Sequence, residues 1–122
     1  MARILVAEDE QQIGDMVAFK LVGSGHDVVR VEDGEAALAA VVRERPDVII
    51  LDVMMPLLDG FSVLARLKAD PHLRAIPVIM LTARGQERDI LAGLQGGAAD
   101  YVVKPFSLKE LMARVDVALR RG

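Results

Sequence analysis

"DVIILDVMMPLLDG", residues 47–60, sets four aliphatic residues between two aspartates and then breaks at a proline and a glycine. The run Val48 to Leu51 has strand length and no polar alternation, which suits a parallel strand covered on both faces. Such a strand delivers a single carboxylate, Asp52, to its end. Read alone, Asp52 is a turn residue or a helix cap. Its meaning rests on the segments either side.

Working outward, similar short runs occur at "RILVA" (3–7), "DVVRV" (27–31) and "PVIML" (77–81), with a weaker one at "YVV" (101–103). Between them apolar residues fall at helical spacing: Ile13, Met16, Val17 and Leu21; Ala36, Leu38, Ala39 and Val42; Phe61, Leu64 and Leu67; Ile90, Leu91 and Leu94. Leu108, Leu111, Val115 and Leu119 predict a closing amphipathic helix. Gly23 to Gly25 and Gly96 to Gly97 read as helix stops. Strand and helix alternate five times, which predicts right-handed crossovers and a doubly wound parallel α/β sheet with helices on both faces. Ligands in such sheets bind beyond the carboxyl ends of the strands.

The bulk properties agree with one domain over residues 1–122. The chain is long enough to bury a core unaided, and its apolar half is built from aliphatic residues. With no cysteine there is neither a disulfide framework nor a thiolate site, and a reducing compartment is compatible. The opening "MARILVAEDE" is too short for a secretory core, and no run is long enough to span a membrane, so the expected location is the cytoplasm. A net charge of −3 argues against this segment gripping nucleic acid itself.

The strand ends carry the chemistry. Glu8 and Asp9 follow the first strand, Asp52 the third, Thr82 the fourth and Lys104 the fifth, whereas Glu32 and Asp33 fit a helix start. Each has a plainer reading: Asp9 with Gln12 fits a capping box, Thr82 a cap near Gly85, Lys104 a surface lysine, and Asp59 a turn or cap. Together, three carboxylates, a hydroxyl and an ammonium on one sheet edge suit phosphoryl transfer onto a carboxylate. Clustered carboxylates repel one another unless a hard cation such as Mg²⁺ neutralises them. An ionised aspartate needs no base, so His26 and His72 read as surface residues.

The motifs "ILVAEDE", "DVIILDVMMPLLDG", "PVIMLTA" and "GAADYVVKPF" together resemble the receiver domain of two-component response regulators, over the whole chain and in order. The resemblance implies a flavodoxin-like fold with strand order 2-1-3-4-5 and five helices. It also implies Asp52 as phosphoacceptor, Glu8 and Asp9 holding Mg²⁺ with Asp52, and a metal contact from the backbone carbonyl of Met54. Thr82 and Lys104 match the residues that contact the phosphoryl group, Tyr101 matches the aromatic switch, and the Lys104–Pro105 bond is often cis in the family. A sensor histidine kinase or phosphotransfer protein is the implied donor, with an output domain beyond residue 122 as a further partner.

The tail resembles most closely receivers of winged-helix transcription factors, which dimerise through the fourth helix, fifth strand and fifth helix. Asp100, Glu110 and Arg114 fit that interface, but Ile90 and Ala99 stand where an Arg and an Asp are usual. Met54 stands where many relatives have Asn and cannot order a water; Arg84 is placed to cover the phosphate instead. A long-lived aspartyl phosphate is the expectation. Three alternatives stay open: a degenerate receiver that only docks, a flavin module, and an aspartyl-phosphate hydrolase. "AEDEQQ" (7–12) opposes the flavin module because it would repel a phosphate, and Met54 opposes the hydrolase, which needs an acid there.

Overall fold

The structure, a computed structural model, describes residues 1–83, 90, 91 and 94–121. Strands β1 (Arg3–Ala7), β2 (Asp27–Val31), β3 (Val48–Asp52), β4 (Val78–Ala83) and β5 (Asp100–Lys104) form one sheet. The order is β2-β1-β3-β4-β5 and every pairing is parallel. Helices α1 (Gln11–Gly23), α2 (Gly34–Glu44), α3 (Gly60–Ala69) and α4 (Leu108–Arg121) flank it. The further helix expected around Ile90, Leu91 and Leu94 falls partly outside the described residues; those three are helical. No helix among the described residues is long and apolar enough to cross a membrane.

Strand alternation divides the core in two. Ile4, Val6, Ile50 and Leu81 face Val17 and Leu21 of α1 and Leu111 and Val115 of α4. Leu5, Ile49, Leu51 and Met80 face Val41 of α2 and Val63, Leu64 and Leu67 of α3. All five residues of β3 are buried, as the absence of polar alternation requires.

The structure corrects several boundaries. Asp52 and Lys104 close their strands and Thr82 is the last residue but one of β4, rather than each following its strand, so the ladder itself orients their side chains. In α2 the fully buried positions are Gly34, Ala37, Ala40 and Val41; of the face read from Ala36, Leu38, Ala39 and Val42, Leu38 packs half-buried against the core, while Ala39 and Val42 are exposed. An alanine-rich helix offers two similar faces, and Gly34 decides between them, because a Cβ there would strike the Leu58 carbonyl. In α1 Met16 is exposed and Gly14 is buried instead, beneath the Arg30 guanidinium, which pairs with Asp15.

Helix starts follow local chemistry. Asp33 caps α2 by accepting from the Ala36 N–H at 2.7 Å, and Asp59 caps α3 by accepting from Ser62 at 2.8 Å. Asp9 is not a cap: the N-cap of α1 is Glu10, and its side chain makes no capping bond. Gly25 and Gly97 adopt φ of 92° and 98° after helices, where side chains are disfavoured. His72 is exposed, but His26 is half-buried and its Nδ1 accepts from the Ala2 N–H at 3.2 Å, tying the start of β1 to that of β2.

Candidate functional site

Period-two alternation builds the site. Glu8 continues the face of Val6, Asp52 that of Ile50 and Lys104 that of Val102, so three adjacent or near-adjacent strands send an acid, an acid and an amine to one side. Thr82 alternates with Leu81 and continues the face of Met80. That is also the side on which Tyr101 packs. In register, Met80 pairs with Tyr101, Thr82 with Val103 and Ala83 with Lys104.

The distances are short. Lys104 Nζ lies 2.9 Å from Glu8 Oε1, 3.2 Å from Asp52 Oδ2 and 3.5 Å from Glu10 Oε1. The Met54 N–H donates to Asp52 Oδ1 at 3.3 Å, and the Glu10 N–H donates to Glu8 Oε2 at 3.1 Å. Glu8 and Asp52 are buried, at 0% and 3% exposure, whereas Asp9 is exposed. With Ala83, residues Asp9, Glu10, Asp52, Met54 and Lys104 line a cleft of about 190 Å³. A larger cavity of about 480 Å³ lies at the opposite end of the strands, around Ala2, His26, Asp47 and Pro77. Volume alone therefore does not locate the chemistry.

The electrostatics split the acidic pair. Burial pushes the Asp52 carboxyl up to about 7, helped by its hydrogen bond and repulsion with Glu8 and opposed by Lys104. Burial also raises Glu8, but its interactions with Asp52, the Lys104 ammonium and the Glu10 N–H outweigh it and hold Glu8 below its ordinary value. For Lys104, burial acts downward and the two carboxylates act upward; the carboxylates win. One proton is thus shared unequally, with Asp52 the weaker acid.

Ligand atoms of Glu8, Asp9 and Asp52 lie within 4.8 Å of one another. Glu8 Oε1 is buried and has no hydrogen-bond donor aimed at it; Lys104 reaches it at ion-pair distance without hydrogen-bond geometry. A buried carboxylate oxygen left in that state, in an all-oxygen set beside a cleft, suits a hard divalent cation. The group can hold a metal.

Gly60 supports the site from below. A Cβ there would collide with the Asp52 carbonyl and crowd Val53, and the Gly60 N–H donates to the Val53 carbonyl at 2.8 Å. Only a glycine lets α3 start against the end of β3. The Lys104–Pro105 bond is cis.

Of the expected residues, Glu8, Asp9, Asp52 and Lys104 converge, with the Met54 backbone beside them and its side chain 72% exposed. Thr82 is buried, and Tyr101 is half-buried against the core cluster on the sheet face of α2 and α3. Arg84 lies outside the described residues. Glu10 escaped the sequence reading, although it is the third acid of "EDE". Asp100 accepts twice from Arg114 Nη1, both at 3.1 Å, and Arg114 Nη2 lies 3.8 Å from Glu110. These charges, expected at a dimer interface, pair within one chain.

Comparison with known proteins gives the context. The chain is 46% identical over 121 residues to the DNA-binding dual master transcriptional regulator RpaA of Synechocystis, covering 99% of this chain and 50% of that protein. It is 47% identical over 119 residues to the phosphate regulon transcriptional regulatory protein PhoB of Escherichia coli, covering 98% and 52%. The chain thus spans about half the length of these curated relatives. Among solved structures, the Francisella response regulator 1452 receiver domain superposes with a TM-score of 0.91 at 36% identity, covering 99% of this chain and 98% of that one. Chemotaxis response regulator CheY4 of Vibrio cholerae gives 0.91 at 33%, covering 98% and 99%. The family model for the response regulator receiver domain matches residues 4–116, and the chain belongs to that family.

Proposed function

We propose that residues 1–122 form one phosphoacceptor domain that takes a phosphoryl group onto Asp52 and passes on the resulting change of shape. The observation that carries this reading is the convergence of the Glu8, Asp9 and Asp52 carboxylates and the Lys104 ammonium at one cleft. An ionised Asp52 oxygen attacks phosphorus and forms the new O–P bond. The bond from phosphorus to the donor's leaving atom breaks, and that atom departs with the electron pair. No base is needed.

Lys104 then turns from the Asp52 carboxylate to the phosphoryl oxygens, and the Thr82 hydroxyl offers a second donor. Glu8, Asp9 and Asp52, with the Met54 carbonyl, would hold Mg²⁺, which neutralises charge on the carboxylate and phosphoryl oxygens. Because burial and Glu8 hold the Asp52 carboxyl near 7, positive charge in the cleft favours its ionised, reactive form.

The domain acts on itself alone, catalysing its own phosphorylation and dephosphorylation. A sensor histidine kinase or phosphotransfer protein in the cytoplasm supplies the phosphoryl group. The readout is an output domain or a partner protein: relatives named as transcriptional regulators are about twice as long as this chain, which supports an output domain C-terminal to residue 122, and this acidic segment is not the part that binds nucleic acid. Thr82 and Tyr101, on one face of β4 and β5, are the switch: a new dianion draws the hydroxyl, and the ring repacks behind it. Met54 and Arg84 tune the lifetime of the acyl phosphate. Dimerisation through the helix that carries Ile90, Leu91 and Leu94, with β5 and α4, has to reuse the charges that Asp100, Glu110 and Arg114 satisfy internally.

The test is incubation with acetyl phosphate and Mg²⁺, read by intact mass. The expected result is one phosphoryl group on the wild type and none on Asp52→Asn; one stable adduct on the variant removes Asp52 from its role.

A further inference from the structure

Glu10 is the acid of "EDE" that the reading above leaves without a part. It stands at the N-cap of α1, a position that favours Ser, Thr, Asp or Asn, and its side chain does not cap the helix. Instead its carboxylate lines the cleft, with Oε1 3.5 Å from Lys104 Nζ, while its backbone N–H holds Glu8 Oε2. The side chain is 62% exposed and lies outside the group of three carboxylates able to share a cation.

The Lys104 ammonium has three protons and three carboxylate neighbours. Two of those neighbours are lost to it during phosphorylation. Asp52 becomes bonded to phosphorus, and a divalent cation held by the Glu8 oxygens repels the Lys104 ammonium from the same place. Of the three carboxylates Glu10 alone stays available to hold the ammonium at the mouth of the cleft until the phosphoryl oxygens reach it. A lysine carries four flexible bonds, so an ammonium without an anchor spends its time in solvent.

We propose that Glu10 is a positioning residue, the carboxylate that keeps the Lys104 ammonium over the cleft once Asp52 and Glu8 are engaged. This rests on the phosphoacceptor reading. Removing the anchor slows phosphorylation without abolishing it. For a half-solvated ion pair of this length the expected effect is a two- to fivefold fall in rate, shrinking as salt screens the pair.

Phosphorylation by acetyl phosphate with Mg²⁺ is measured on the 122-residue chain as wild type, Glu10→Gln, Lys104→Gln and the double variant, at low and high salt. Glu10→Gln is expected to be two- to fivefold slower at low salt and to approach the wild type at high salt. It should have no effect where Lys104 is already Gln. A second readout is taken in chelator, without metal or donor: thermal midpoints of the four proteins should be non-additive, which requires a Glu10–Lys104 coupling in the resting fold. Glu10→Gln that is faster than wild type makes the residue merely a charge repelling the anionic donor and overturns the proposal. Equal rates, or additive midpoints, also overturn it. If the wild type takes no label, or Asp52→Asn takes it, the failure belongs to the phosphoacceptor reading.

Discussion

Asp52→Asn should make the metal-free protein more stable and flatten its pH profile. Asp52 is almost wholly buried, and its carboxyl moves from an ordinary value of 3.8 to about 7. A raised carboxyl means that the folded state binds the proton more tightly than the unfolded state, so stability falls as pH rises between those two values. At about 1.4 kcal/mol per unit, the full cost of ionising Asp52 in the fold is about 4 kcal/mol at pH well above 7. Roughly half of this is incurred between pH 5.5 and 8.5. Glu8 works in the opposite sense, but its carboxyl is lowered from 4.5, so the stability it adds is lost only below that value, outside the range.

Urea unfolding in chelator should therefore show wild type losing about 2 kcal/mol more than Asp52→Asn from pH 5.5 to 8.5. In thermal midpoint that is a difference of about 6–10 °C for a domain of this size. Other groups titrating in the range are common to both proteins and cancel. Millimolar Mg²⁺ at pH 8.5 should raise the wild-type midpoint and leave the variant nearly unmoved, because the cation binds the ionised pair. Parallel pH profiles, or equal stabilisation of both proteins by Mg²⁺, would refute the reasoning that Asp52 sits desolvated against Glu8.

Two further outcomes follow from the same geometry. Gly60→Ala drives a methyl group into the Asp52 carbonyl, so the urea midpoint should fall by an amount equivalent to about 2 kcal/mol or more, with slower phosphorylation; an unchanged midpoint would show that α3 can shift freely. The exposed thioether of Met54 cannot orient water, so labelled wild type should hold its phosphoryl group for longer than minutes. Met54→Asn should lose it about tenfold faster or more, measured as decay of label after donor removal.

Much of the site was legible before any coordinate. Short aliphatic runs bounded by turn residues put Asp52 and Lys104 at strand ends to within one position and Thr82 to within two, and Asp33 and Asp59 behave as the caps their neighbours suggest. Local rules failed where two solutions are locally equal. Ala36–Leu38–Ala39 and Ala37–Ala40–Val41 are comparable helix faces, and contact between Gly34 and Leu58, 24 residues away, selects the second. Asp9 with Gln12 satisfies the capping-box pattern, yet the N-cap falls one residue later, on Glu10.

Sequence by itself determined the alternating elements, the placing of acids, hydroxyl and amine at strand ends, and the family those motifs resemble, because periods of two and 3.6 and turn chemistry are properties of neighbouring residues. Tertiary structure alone decided that Glu8 and Asp52 are buried while Asp9 is exposed, and that Lys104 is shared among three carboxylates, Glu10 included. It also decided that Asp100 and Arg114 satisfy each other. Burial and charge proximity arise only when crossovers bring β1, β3 and β5 to one edge, and those two quantities set the proton affinity of Asp52.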